Sequence, residues 1–206
     1  NYKPMDGLKL RVALLEDLNG EGVGAGFRSA RGKGYKTTAY DWTKNFSAEY
    51  TGLLGLRLGG SYTMNNAPIN DDPDTTANIA LLELHAKYVA HNIYAVFEYG
   101  NINYDGTNHT PSYKSSGGYY LDLGYNIASM LNLKGKIMPW FRYSDYNRGT
   151  NDDGVVPSKH YTISRFGLTF WPVNEVAFKI DFGTKATEDA NVDDITQLNI
   201  GVGYNF

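Results

Sequence analysis

Ile195-Thr196-Gln197-Leu198-Asn199-Ile200-Gly201-Val202-Gly203-Tyr204-Asn205-Phe206 is the stretch whose reading decides the fold. Leu198, Ile200, Val202, Tyr204 and Phe206 are apolar at every second position, and the residues between them are small or polar. Side chains of a strand alternate faces with a period of two, so this segment presents one apolar and one polar face. An edge strand of a soluble sheet is usually blunted by charge or proline, and these twelve residues contain neither. In a closed membrane barrel the same strand is paired on both sides and its apolar face meets lipid. The competing reading is an amphipathic terminal strand of a soluble β protein.

Working outward from the terminus, similar stretches give ten expected strands. They lie at residues 7–15, 44–52, 55–64, 79–90, 93–103, 117–127, 134–144, 160–171, 175–185 and 195–206. Their connections alternate in length. Residues 16–43, 65–78, 104–116, 145–159 and 186–194 form long ones. Leu53-Leu54, His91-Asn92, Ala128 to Leu133 and Pro172-Val173-Asn174 form short ones. Outer-membrane barrels keep short periplasmic turns at one end and long extracellular loops at the other. A soluble sandwich has no reason to do so. The expected fold class is therefore all-β, an antiparallel transmembrane β-barrel in the bacterial outer membrane.

Composition agrees. The chain has 206 residues, no Cys and a formal net charge of -3, which suits one all-β domain without disulfides or thiolate metal sites. Mean hydropathy is -0.42, and no run approaches the ~20 apolar residues of a membrane helix. Barrel strands average out polar, because only alternate residues meet lipid. Tyr2-Lys3-Pro4-Met5-Asp6-Gly7-Leu8 parallels Phe170-Trp171-Pro172-Val173-Asn174-Glu175-Val176 as strand end, proline turn and new strand. On that comparison Asn1 to Lys3 end an earlier strand, and residues 1–206 are the C-terminal part of a longer barrel. A closed ten-stranded ring, in which the first and last expected strands pair, is the alternative.

Parity sorts the charges. With Ile93, Ala95, Phe97 and Tyr99, then Leu121 and Leu123, then Phe166, Leu168 and Phe170, then Phe178, Ile180 and Phe182 facing lipid, the mid-strand charges face inward. A Lys or Arg facing lipid at the midplane would cost roughly 2–4 kcal/mol. The inward set is Lys9, Arg11, Glu49, Arg57, Glu83, Lys87, Glu98, Asp122, Lys136, Arg142, Arg165, Lys179 and Asp181, eight basic against five acidic. Basic side chains lining a pore favour anions. Alternatively, pairs such as Lys179–Asp181 and Glu83–Lys87 simply neutralise and solvate the wall. Pro139 interrupts an expected strand, which suggests a bulge.

Several motifs in order resemble the C-terminal half of the phosphate-selective porin O/P type family. They are Leu82-Glu83-Leu84-His85-Ala86-Lys87-Tyr88, Tyr94-Ala95-Val96-Phe97-Glu98-Tyr99 and Gly118-Tyr119-Tyr120-Leu121-Asp122-Leu123-Gly124-Tyr125. Pro139-Trp140-Phe141-Arg142-Tyr143 and Phe166-Gly167-Leu168-Thr169-Phe170-Trp171-Pro172-Val173-Asn174 follow. The ending with Phe206 likewise resembles the C-terminal signal of outer-membrane barrels, which implies handling by the barrel-assembly machinery. The family resemblance implies a trimeric Gram-negative porin of about sixteen strands, a channel passing small, often anionic, solutes. The family's basic constriction loop would lie earlier in the chain. A structural or adhesive ten-stranded barrel without an open pore is the alternative, since so narrow a ring fills with side chains.

Other features point to weaker chemistry. Asp71, Asp72 and Asp74, then Asp152 and Asp153, then Glu188, Asp189, Asp193 and Asp194 could hold Ca²⁺. They lack the ligand spacing of a dedicated loop, so solvated charge is the expected role, and no metal or cofactor is assigned. Arg28, Arg31, Lys33 and Lys36 could meet lipopolysaccharide phosphates or simply be solvated. Gly20, Gly22, Gly24 and Gly26 precede no helix, so they are not a nucleotide cradle but a flexible extracellular loop; no nucleic acid is expected as a partner. Gly59, Gly124, Gly183, Gly201 and Gly203 are expected to let strands bend. His85, His91, His109 and His160 are the four His, and Asp145, Asp152 and His160 could meet at the rim. Nothing in their spacing defines a catalytic pair, so no enzyme is expected. Tyr104, Tyr113, Tyr146 and Tyr161 at the loop end, with Trp171 at the turn end, fit interfacial aromatic girdles.

Overall fold

The computed structural model describes residues 2–21, 30–32, 34, 38–69, 72–105 and 113–205. Asn1, Gly22, Gly24, Gly26, Arg28, Lys33, Lys36, Asp71, His109 and Phe206 lie outside the described residues.

Twelve strands make one antiparallel sheet. They are β1 (Tyr2–Met5), β2 (Leu8–Leu15), β3 (Thr43–Tyr50), β4 (Leu56–Ile69), β5 (Asp72–Ala90) and β6 (Ile93–Asp105). Then come β7 (Ser115–Tyr125), β8 (Lys136–Asn151), β9 (Gly154–Val155), β10 (His160–Val173), β11 (Val176–Thr187) and β12 (Ile195–Tyr204). Neighbours in sequence are neighbours in the sheet, except that the short β9 folds back on β8, which pairs directly with β10. Among the described residues β1 pairs with β2 alone and β12 with β11 alone. The sheet therefore keeps two free edges, and the pairing that closes a ten-stranded ring is not formed.

All ten expected strands are present, but two expected loops are not loops. Most of residues 65–78 continue β4 and β5, and residues 145–151 continue β8. The long end of the molecule thus owes part of its length to strands that outrun their neighbours. Turns at the other end are tight: Asp6-Gly7 and His91-Asn92 are two-residue hairpin connections. Such turns need positive φ, and Gly7, His91 and Asn92 have 80°, 53° and 65°. The two proline turns compared in the sequence do match, since pairing slips between Tyr2 and Met5 and between Phe170 and Val173. Proline cannot donate to the ladder, so register breaks around Pro4 and Pro172. Pro139 causes no bulge: β8 stays in step with β10 from Lys136 to Asn147. It sits just past Trp140↔Gly124, the last pair with β7, where a missing donor is tolerated.

Burial along the wall is inverted relative to a soluble sheet. Asp122 and Asp181 are 7% and 4% exposed, whereas Ile180 and Phe182 are 45% and 54% exposed. A single sheet shelters one face only by curling toward it, so the polar face is the concave one. Cross-strand pairs continue the apolar face without a break: Phe141↔Phe166, Phe166↔Phe182 and Phe182↔Leu198. Leu198, Ile200, Val202 and Tyr204 stand on that face of β12.

The expected aromatic girdles need correction. Tyr104, Tyr146, Tyr161 and Trp171 belong to the concave face, as their partners Ile79, Gly118, Thr187 and Lys136 show by register. Tyr113 packs against Gly149. Height along the strand suggested a girdle, but parity sends these rings inward. Outward aromatics include Phe46, Tyr62, Tyr99, Tyr119 and Tyr143 toward the loop end, and Tyr50, Tyr88, Tyr125 and Tyr204 at the turn end.

Candidate functional site

The concave face of the wall is the candidate site. Register places every charge of the inward set on it. At one level Arg57↔Lys87, Lys87↔Val96, Val96↔Asp122, Asp122↔Arg142 and Arg142↔Arg165 follow one another across the strands. Neighbouring strands are ~4.8 Å apart, so this is a belt of four cations and one carboxylate. One level toward the loop end run Lys9↔Glu49, Glu49↔Gly59, Gly59↔His85 and His85↔Glu98. Toward the turns, Asp181 lies opposite Gly167, Lys179 opposite Thr169 and Lys136 opposite Trp171. Arg11 lies opposite Ser47, and Glu83 opposite Ser61.

The acids are held firmly. Arg142 donates to both oxygens of Asp122, Nε and Nη2 each at 2.5 Å. Asp181 lies 3.2 Å from Arg165 Nη1 and 3.3 Å from Lys179 Nζ, and accepts from Asn199 at 2.8 Å. Glu49 approaches Arg57 at 3.7 Å, and Glu98 accepts from the Tyr120 hydroxyl at 2.8 Å. The expected Lys179–Asp181 pair is present. The expected Glu83–Lys87 pair is not: Glu83 meets His85 Nδ1 at 2.6 Å and the Ser61 hydroxyl at 3.3 Å. Among the described residues Lys9, Lys87 and Lys136 form no ion pair. Each acid is therefore satisfied while cations remain over.

Aromatic rings carry several of these cations. Lys179 Nζ lies 4.5 Å from the Trp140 ring, Arg142 Cζ 5.3 Å from Tyr120 and Lys185 Nζ 4.2 Å from Tyr161. Cation–π contacts hold a charge in place without cancelling it. Glycine makes room for two large side chains here: a Cβ on Gly167 would strike the Trp140 indole, and one on Gly59 the His85 ring. These glycines serve close packing, which strand bending alone did not anticipate.

Three basic residues escaped the sequence reading. Lys185 shares the concave face through Ile163↔Lys185, and extending the alternation Lys179, Asp181, Gly183 by one step would have found it. Arg148 and Lys159 line a cleft of about 590 Å³ near the loop end, with Glu83, Glu98, Tyr113 and Tyr146. They lay in a stretch expected to be loop. At the rim, Asp145 and His160 do meet, Oδ1 to Nε2 at 2.7 Å, while Asp152 pairs with Lys114 instead. Glu188 completes that cluster, its Oε1 2.7 Å from His160 Nδ1. The hydrogen bond to Asp145 pushes the His160 pKa above its ordinary value against the effect of burial, and Glu188 adds to the rise. Among the described residues no group of three or more His, Asp or Glu could hold a metal ion. Asp72 turns back on the start of β5, accepting from the Asp74 N–H and the Thr75 hydroxyl.

No protein-family model and no curated protein matches the chain. A solved structure with a similar course is the outer membrane protein opdK from Pseudomonas aeruginosa, at a TM-score of 0.42 and 12% sequence identity. The alignment covers 98% of this chain and 67% of that one. The likeness is to an outer-membrane protein and does not single out the phosphate-selective porin O/P type.

Proposed function

We propose that this sheet is part of the wall of an outer-membrane porin, a water-filled channel for passive diffusion of small solutes with a weak preference for anions. The observation that carries the reading is the sorting of the two faces: apolar side chains stand outward in continuous rows, and the mid-strand charges all share the concave face, where Asp122 and Asp181 are buried. Apolar rows of that extent are costly in water and favourable against lipid. Exposed backbone at a sheet edge is not tolerated in hydrocarbon. Further strands, from the same polypeptide beyond these 206 residues or from neighbouring copies, therefore close the ring. In this reading the outward face meets lipid, the loop end meets lipopolysaccharide, and β12 is the handle for the barrel-assembly machinery. Three copies associate as a trimer, and the chain is a conduit without catalytic work.

Anion preference rests on the belt. Like charges directly opposite one another destabilise a sheet, so Arg57 opposite Lys87 and Arg142 opposite Arg165 make poor sense as mere solvation. In a confined passage their fields add. The test is planar-bilayer recording of the protein purified in detergent: stepwise conductance, with a reversal potential of anion-selective sign in a KCl gradient. Arg57→Glu with Lys87→Glu should move that potential toward cation selectivity. A wild-type channel that already prefers cations overturns the anion assignment. A chain that is monomeric in buffer without detergent overturns the porin.

A further inference from the structure

At the loop end, the two ends of the connection between β2 and β3 are built onto the concave face. Asp17 is 2% exposed. Its carboxylate accepts from the backbone N–H of Tyr40 at 2.5 Å and of Asp41 at 3.3 Å. It also accepts from the Thr38 hydroxyl at 3.2 Å and the side-chain amide of Asn65 at 3.1 Å. The Asn65 oxygen in turn accepts from the Leu18 N–H at 3.0 Å. The Asn19 N–H donates to the Ala30 carbonyl at 2.7 Å. Asp17 thus ties the start of the connection to its end, and through Asn65 to β4.

Apolar packing follows the same line. Leu18 and Ala30 are buried with Ala67, Ile79 and Tyr104. Gly20 lies so close to the carbonyls of Ala67 and Pro68 that a Cβ there would clash with both. The pairs Asn65↔Ile79, Ala67↔Ala77 and Ile79↔Tyr104 share the parity of Ser61↔Glu83 and Arg57↔Lys87. The covered surface is therefore the concave one. A buried carboxylate is costly unless its oxygens are satisfied, and here four groups satisfy it from two separate segments. Such an arrangement fixes a position more than it adds stability.

We infer that residues 16–21 and 30–32 form a fixed collar on the inside of the channel mouth, with Asp17 as the positioning residue acting through Asn65. Its effect on flow rests on the pore reading; its geometry does not. Leu18→Cys provides a probe, since the chain has no native Cys. A membrane-impermeant maleimide should label the thiol of the Leu18→Cys protein slowly when nothing else is changed. It should label it fast when Asp17→Ala or Asn65→Ala is added. In bilayers, the Asp17→Ala and Asn65→Ala channels should conduct more than wild type. A disulfide between thiols introduced by Leu18→Cys and Ala67→Cys should return the Asp17→Ala channel to wild-type conductance.

Fast labelling of the Leu18→Cys protein without a second substitution overturns the collar, whether or not channels form. Wild-type conductance in both the Asp17→Ala and Asn65→Ala channels overturns its role in flow. Absence of any conductance, with labelling of the Leu18→Cys thiol still slow, removes the pore reading and leaves the anchored collar standing.

Discussion

The wall and the region above it are made from the same strands and obey opposite rules. In β4 and β5 up to Tyr62 and Leu82, the apolar side chains point outward, and Glu83 and Lys87 point inward. A few residues further along the same strands the sense reverses. Ala67, Ile69, Ala77 and Ile79 are buried on the concave side, while Asn66 and Asn78 are exposed on the convex side. Neither backbone nor register changes in between; Asn65↔Ile79 continues the ladder directly. What changes is the medium each face must satisfy. An apolar outer face is favourable against hydrocarbon, and an apolar inner face with a polar exterior is favourable in water. On the proposed porin reading, the reversal between Tyr62↔Leu82 and Asn66↔Asn78 marks where lipid gives way to water.

The largest effect that would break this comparison is a charge placed on the outer face at mid-wall. Ile180→Arg should destabilise the folded protein in lipid vesicles by roughly 2–4 kcal/mol, read as a lower denaturant midpoint for unfolding. An unchanged midpoint would mean that this face does not meet hydrocarbon. Next in size is the packed region above the wall. Ile79→Ala should cost about 2 kcal/mol, the low end for a buried large-to-small change because the cluster is small. Amide exchange should report that loss locally, in residues 16–20 and 65–69, with the wall strands still protected. Global loss of protection would mean that the two regions are one cooperative unit.

The wall was legible in the sequence because a single rule, alternation with period two, governs every strand from Leu8 to Tyr204. Thirteen charges could be sorted by parity without knowing a single contact. The region above it was not legible, for two physical reasons. Asn65-Asn66 and Pro68 carry turn-forming chemistry, so a continuing strand resembled its own end. Its cover comes from residues far away in sequence: Leu18 and Asn65, joined by a hydrogen bond, are 47 positions apart. Alternation says which residues share a face but not what will lie over it. The girdle assignment failed for a related reason, since Tyr146 and Tyr161 were placed by height while parity set their rings on the inner face, where they stack 5.4 Å apart.

On the far side of the sheet the same boundary is drawn by charge. Beyond the outward ring of Tyr143 stand Asp145, His160 and Glu188, on β8, at the start of β10 and just past β11. His160 Nε2 is hydrogen-bonded to Asp145 at 2.7 Å, while Nδ1 lies 2.7 Å from Glu188 without hydrogen-bond alignment, so the imidazolium holds Glu188 by charge. Tyr143 and Tyr119 are the other titratable groups beside Asp145; Asp189 follows Glu188, and Lys159 precedes His160. Because the His160 pKa is raised above 6.5, the bridge is complete below the unfolded value and is lost as pH rises through the folded one. As pH rises from below 6.5 through the raised value of the folded protein, protection of residues 188–194 should fall once intrinsic exchange rates are corrected for. His160→Gln should abolish that dependence. A pH-independent loop in the native protein would show that the cluster does not hold it.

The smallest effect locates the boundary itself. Met64 and Asn66 stand two residues apart on the outer face of β4, opposite Ala80 and Asn78. A lysine in a barrel wall costs several kcal/mol at the midplane but only ~0–1 kcal/mol near the interface, and a long side chain can lift its charge toward water. Met64→Lys should therefore destabilise the protein in vesicles by up to ~1 kcal/mol, at the upper end of that interfacial range. Asn66→Lys, already among polar side chains, should be close to neutral. Comparing the two in bilayers of short-chain and long-chain lipid sharpens the reading. Thicker hydrocarbon raises the penalty at residue 64 first, because the boundary moves up the strand. If both substitutions respond equally to chain length, or neither does, the reversal of burial along β4 follows from packing of the collar alone. The edge of the membrane would then have to be sought lower on the wall.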